Sequence, residues 1–117
     1  TCFKTTNINE YSFGRPYVVP NDTCYQMYYS IRTWDQGYCL GYAESTNGVV
    51  WNRQDNRLST LITSKAGWDS TSLCYSSVIR YKDQTYLFYN GNDYGRDGFG
   101  FLYKRGILHH AKVLRNK

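Results

Sequence analysis

The sequence predicts an all-β protein made of two antiparallel four-stranded sheets, and three observations predict it. Short β-branched and aromatic runs recur along the chain, cut by Gly, Asn and Asp, with no convincing helical period. The links between those runs carry turn chemistry. The pattern is also written twice: "YQMYYS" at residues 25–30 returns as "TYLFYN" at residues 85–90, so Met27, Tyr28 and Tyr29 fall on Leu87, Phe88 and Tyr89 at an offset of 60.

The strands follow in order. "PYVVP" (16–20) is a first strand, "CYQMYYSIR" (24–32) a second, "YCLGYAES" (38–45) a third and "VVWNRQ" (49–54) a fourth. "PND", "TWDQG" and "TNG" join them, and Asn47-Gly48 is a hairpin signal because both residues tolerate positive φ. After a loop with "SKAGWDS" (64–70) the pattern restarts: "YSSVIRY" (75–81), "TYLFYNGN" (85–92) and "GFGFLYK" (98–104), with "GILHHAKVLR" as a segment that adds a strand to the second unit or reaches a partner. At the same offset Ser12 meets Ser72, Val18 meets Val78 and Val19 meets Ile79. A repeated four-stranded antiparallel unit is the signature of a β-propeller blade. One domain, 1–117, is therefore expected to hold blade-like repeats at about 12–60 and 69–110 and a basic tail at 104–117. In "QMYYS" and "YLFYN" both alternating faces are apolar or aromatic, which fits a sheet covered on both sides better than a sandwich strand.

A chain of 117 residues is one domain by length and buries a modest core. Aromatics make up 18% of it, Tyr above all, which suits pleated surfaces and stacking on flat ligands. No apolar run approaches the ~18 residues of a membrane span, and the opening "TCFKTTNINE" lacks the apolar centre of a secretion signal, which makes the cytoplasm the expectation. The four Cys (Cys2, Cys24, Cys39, Cys74) admit disulfides by their even number, although structural thiols are expected. A turn near Thr33 and Trp34 would set Cys39 opposite about Tyr28 rather than Cys24. Their spacing is too wide for a zinc knuckle, and adjacent His109 and His110 on a strand point to opposite faces, so no metal or cofactor is expected. Residues 1–103 carry nine Lys and Arg against nine Asp and Glu, and the whole excess of +5 sits in the last 14 residues. Five such charges hold phosphate only weakly, so a nucleic-acid partner is not expected.

Taken in order, "GRPYVV", "MYYSIR", "GYAES-NG-VW", "GWDS-CY" and "YLFYNGNDYG-GFG" resemble the five-bladed β-propeller glycosidase-like proteins of the glycoside hydrolase family 43 and 32 type. The resemblance runs from Ser12 to Phe101. Two features depart from it: such a propeller needs about five blades where this chain supplies two, and after "GFG" the sequence turns to "FLYKRGILHHAKVLRNK". The chain thus reads as a fragment of a longer propeller closed by an unrelated basic end. Two blades would leave apolar faces to be completed by oligomerisation, so a homo-oligomer is expected.

Glycoside cleavage needs two carboxyl groups, one to protonate the leaving oxygen and one to attack or to activate water. The inner strands "RPYVV" and "YSSVIR" hold none. Asp69, beside Trp68 and just before an inner strand, is the catalytic candidate; capping its own turn is the competing role. Glu44 and Asp93 read as an inter-blade charge and a turn residue. For ligand binding, Arg15 and Arg32 at strand ends offer guanidinium forks for a hydroxyl or an anion, or pack over Tyr. Trp68 and Tyr75 offer rings, and Asn90 and Asn92 offer amides, or left-handed turn geometry around Gly91. Trp34 is a further stacking surface and Trp51 is read as core. The resemblance implies a non-catalytic fragment with weak carbohydrate affinity that self-associates. Glycoside hydrolase activity in an assembled oligomer, and a protein-interaction module without carbohydrate, are the alternatives.

Overall fold

A computed structural model describes residues 1–59, 66–105 and 114–116. The first sheet is a meander of β1 (Glu10–Pro20), β2 (Tyr25–Thr33), β3 (Gly37–Ser45) and β4 (Asn52–Arg53); the second is a meander of β5 (Cys74–Tyr81), β6 (Gln84–Asn90), β7 (Phe99–Arg105) and β8 (Leu114–Asn116). Two short turns of helix interrupt them, α1 (Asn56–Ser59) and α2 (Asn92–Gly95). The fold is therefore all-β, in two antiparallel four-stranded units. His109 and His110, the rest of 106–113, and the start of the "SKAGWDS" loop lie outside the described residues.

The strand registers coincide at the spacing seen in the sequence. Tyr17, Val18 and Val19 face Tyr28, Met27 and Gln26 in the first sheet; Ser77, Val78 and Ile79 face Phe88, Leu87 and Tyr86 in the second. Both first strands slip register at the same relative place, between Gly14 and Tyr17 and between Cys74 and Ser77, and β1 slips once more between Glu10 and Ser12. A residue with left-handed backbone sits in each slip, Arg15 (φ 52°) and Tyr75 (φ 60°), again 60 apart. A bulge of this kind bends the strand and re-aims the side chain it carries.

The core lies between the sheets, where β5 packs against β1, β2 and β3. Tyr28, Leu40 and Tyr42 from the first sheet meet Leu73, Val78, Leu87, Tyr89 and Leu102 from the second, with Leu58 of α1 filling the end. Burying each such aliphatic side chain stabilises the fold by about 1.5–3 kcal/mol. Polar links cross the same seam: the Tyr75 amide donates to Ser30 Oγ at 2.9 Å, Leu73 N to Tyr38 O at 3.0 Å, and Arg80 Nη1 to Pro20 O at 2.8 Å, while Arg80 Nη2 bonds Gln26 Oε1.

The opposite face of the first sheet carries a second cluster of Met27, Tyr29, Ile31, Ala43 and Trp51, covered by Phe3 from the N-terminal segment. Arg53 fastens that cover, holding Glu10 at 2.6 Å, Asp55 at 2.6 Å and the Thr6 hydroxyl at 3.0 Å. With both faces covered, residues 26–31 of β2 are all buried, as its doubly apolar sequence predicts. In β6, by contrast, Thr85, Leu87 and Tyr89 are buried while Tyr86, Phe88 and Asn90 are not. The outer face of the second sheet shows Tyr86, Phe88, Phe101 and Tyr103 in mutual ring contact, 5.3–6.3 Å between centroids.

Three local expectations change. The first strand is longer than "PYVVP", reaching back to Glu10. The fourth is shorter than "VVWNRQ", because Asn47 Oδ1 accepts the Val49 and Val50 amides at 2.9 Å each and holds them in a turn. The turn after β2 closes at Thr33 and Gly37, so Cys39 faces Ile31 rather than Tyr28. All four cysteines are free thiols.

Candidate functional site

Arg15, Arg32 and Tyr75 converge at one end of the two sheets. Arg15 lies across the ring of Tyr75, 5.0 Å from its centroid. Arg32, the residue after the buried run of β2, lies between Tyr11 at 5.2 Å and Tyr38 at 5.1 Å. Tyr38 meets Tyr75 edge-on at 5.7 Å and Tyr94 at 5.4 Å; Tyr75 and Tyr94 run nearly parallel at 6.1 Å. Trp34 stacks on Tyr11 at 4.0 Å and extends the surface into solvent. The result is a platform of tyrosine rings with two guanidinium groups laid on it.

The backbone under the platform is strained. Of the non-glycine residues with left-handed φ, Arg15, Tyr75, Asp93 and Tyr94 all belong to it or to the turn that carries it. Each such residue costs about 1–2 kcal/mol, and strain of this kind persists only where its surroundings fix it.

Electrostatics set the two arginines apart. Arg53, Arg57 and Arg96 hold carboxylates at 2.5–3.0 Å, and Arg80 holds Pro20 O and Gln26. Arg15 and Arg32 pair with no carboxylate among the described residues, and Arg32 Nε is buried without a hydrogen-bond partner. Desolvation pulls the Arg32 pKa down, but Tyr11, Tyr38 and Tyr94 together push it above the usual guanidinium value, so it stays charged. The Tyr38 pKa is raised, first by burial and then by the Tyr75 hydroxyl beside it.

Asn90 and Asn92 hold the platform from behind. Asn92 Oδ1 accepts from Thr71 N at 2.8 Å, the Thr71 hydroxyl at 2.8 Å and Ser72 N at 3.2 Å; its Nδ2 donates to Gly67 O at 2.9 Å and Ser70 Oγ at 3.2 Å. Both ends of that amide are thus taken up inside the protein. Asn90 Nδ2 donates to Tyr94 O at 3.0 Å and fixes the left-handed residue that presents the Tyr94 ring.

Trp68 and Asp69 lie deeper. The Trp68 indole stacks on Tyr89 at 5.4 Å and fits a notch lined by glycines: a Cβ on Gly100 would stand 2.6 Å from Cη2, and one on Gly91 2.2 Å from Trp68 O. Asp69 is 4% exposed, and its Oδ2 accepts from the Tyr89 hydroxyl at 2.9 Å.

Beside the platform opens a cleft of about 970 Å³, which shares Tyr38 and Tyr94 with it and is lined by Glu10, Asp35, Asp55 and Asp93. Those acids are engaged: Glu10 and Asp55 by Arg53, Asp93 by Arg96, and Asp35 by the Asn9 amide at 3.2 Å. The bonds from Arg53 hold the Glu10 carboxyl below its usual range. Glu44 is also lowered, because the bonds from Tyr42 and Arg57 outweigh the opposing effect of burial. Burial pushes the thiols of Cys39 and Cys74 up to about 11, so neither is a thiolate at neutral pH. Among the described residues no group of His, Cys, Asp and Glu could hold a metal ion.

Sequence reasoning singled out Arg15, Arg32 and Tyr75 separately and missed Tyr11, Tyr38 and Tyr94, which join them. The signal for the pairing was present, since Arg15 and Tyr75 are equivalent positions 60 apart.

No family model matches the chain. It is 35% identical over 86 residues to the Uncharacterized protein Rv1502 of Mycobacterium tuberculosis, a match that takes in 74% of this chain and 28% of that protein. Its fold is similar to that of a glycoside hydrolase, with a TM-score of 0.73 at 17% identity over 98% of this chain and 39% of that one. A thermostable family-43 glycoside hydrolase aligns with a TM-score of 0.59 at 21% identity over 88% of this chain and 32% of that one. The chain therefore has the fold of part of a glycosidase-like propeller, and it spans between 28% and 39% of the length of these proteins.

Proposed function

We propose that this chain is a pair of repeated propeller blades that binds carbohydrate on its tyrosine and arginine platform and does not itself cleave it. The observation that carries this reading is the platform: Tyr38, Tyr75 and Tyr94 offer faces for the C–H surfaces of sugar rings, and Arg15 and Arg32 offer donors with no carboxylate of their own. The burial of Asp69 under Tyr89 speaks against its use as an acid or nucleophile. A general acid in glycoside cleavage needs a raised pKa; Glu10 and Glu44 have lowered ones. A glycan array followed by titration tests the reading: saturable binding that Tyr75→Ala removes, with no release of aryl alcohol from aryl glycosides, is expected. Turnover that survives purification and is lost in Asp69→Asn would overturn the non-catalytic part, and absence of binding to every glycan would overturn the rest.

A second feature favours self-association. Ile79, Tyr81, Phe88 and Phe99 on the second sheet are 36–74% exposed, a patch of the kind that marks an interface, and in a propeller the next blade would cover that face. A second copy of the chain is the proposed cover. Light scattering on a sizing column should give a discrete oligomer; a single species of 13.7 kDa, the monomer mass, contradicts it.

A further inference from the structure

The platform's charge, which the carbohydrate reading leaves unused, carries a narrower conclusion. Lysines and arginines balance acids nine to nine over residues 1–103, and the pairing is economical: Arg53 alone serves Glu10 and Asp55, Arg57 serves Glu44, and Arg96 serves Asp93 and Asp97. Arg15 and Arg32 are left out, and they are left out together, on rings that touch each other through Tyr38 and Tyr75. Arg15 is held there by a left-handed backbone that a β-strand residue would not otherwise adopt. A neutral sugar needs no such arrangement, because its hydroxyls are served equally well by amides. Two guanidinium groups without a carboxylate partner, Arg15 exposed and Arg32 half-buried on aromatic faces, are matched by a planar anion attached to a ring, since the fork binds a carboxylate through two parallel N–H donors.

We propose that the ligand is an acidic saccharide, a chain containing uronic acid residues, whose carboxylate is taken by Arg32 and Arg15 while its rings lie on Tyr38, Tyr75 and Tyr94. The proposal rests on the carbohydrate reading above and specifies its ligand class.

The test is calorimetric titration of the full chain with a galacturonic acid tetramer and with the galactose tetramer of the same linkage. The acidic tetramer should bind at least about tenfold more tightly at low ionic strength, and the advantage should shrink as salt shortens the Debye length from about 30 Å at 0.01 M toward about 10 Å at 0.1 M. Arg32→Gln and Arg15→Gln should each remove most of that advantage, bringing the two tetramers to within about threefold of each other on the same variant. Equal affinity for the two tetramers overturns the acidic-ligand proposal and leaves the carbohydrate reading standing; no binding of either overturns both. Should a variant unfold, the salt series on the unaltered protein decides: an advantage that does not change with salt overturns the proposal, as does one that survives both substitutions.

Discussion

Asn92 separates a residue that touches ligand from one that builds the site, and its replacement by Ala can be worked through from the structure. The side chain makes five hydrogen bonds to the 67–72 loop, at 2.8–3.2 Å, and is 7% exposed. Each is worth a net ~0.5–1.5 kcal/mol, and a donor left buried without a partner costs ~1–3 kcal/mol. The loop is only part-buried, so water recovers some of these groups after Ala replaces the amide. A loss of about 2–4 kcal/mol follows, which for a urea slope of ~1–1.5 kcal/mol/M lowers the unfolding midpoint by roughly 1.3–4 M. Asn92→Asp keeps the acceptor toward Thr71 and Ser72 but sets an oxygen against Gly67 O and should cost less, about 1–2 kcal/mol. Equilibrium urea unfolding followed by tryptophan fluorescence reads both. A midpoint for Asn92→Ala within about 0.5 M of the parent, together with lost saccharide binding, would refute the reasoning and make Asn92 a direct ligand contact.

Other perturbations have equally definite outcomes. Gly100→Ala places a methyl 2.6 Å from the Trp68 indole and should destabilise the protein by ~1–3 kcal/mol; Trp68→Phe in the same chain should recover part of that, and strict additivity in urea unfolding would contradict the notch. Arg15→Gly relieves a φ of 52° and should raise stability by about 0.5–1 kcal/mol while weakening acidic-saccharide binding, the signature of strain kept for function; a fall in both would contradict it. The carboxyls of Glu10 and Glu44 have folded pKa values below the ordinary glutamate value of 4.5, so their contribution is complete above that value and is lost as pH falls through the lower folded values. Thermal melts should therefore hold from neutral pH to about 5 and drop below 4.5, with a shallower drop in Glu10→Gln; a melting temperature that rises over the acid range would contradict the pairing with Arg53.

The two sheets were legible because β2 and β6 write their register twice, and because the residues on both faces of β2 are apolar. The same reasoning could not see that β6 is covered on one side while β2, like β3 beside it, is covered on both. Its cover is a lone Phe3 in a polar N-terminal segment, fastened by an arginine 50 residues away, and no local pattern announces such a contact. Val49 and Val50 read as a strand by composition, yet one Asn47 side chain captures their amides, so turn chemistry overrides β propensity there. Arg15 and Arg32 were found by chemistry, but their company was not. Tyr38 follows a tight turn and Tyr94 sits in a left-handed pair of residues, and both reach the site through backbone geometry that residue type does not encode. Asn90 and Asn92 belong with the site by position, but their amides are directed into the fold.

The central claim is that saccharide binds on the tyrosine and arginine platform. An amide NMR spectrum of the assigned protein, recorded while the acidic tetramer is added, tests it most directly. The largest shifts should fall on Arg15, Arg32, Tyr38, Tyr75 and Tyr94, with smaller ones through Asn90 and Asn92. Shifts confined to the cleft around Asp35 and Asp55, or a spectrum unchanged at millimolar tetramer, would contradict it.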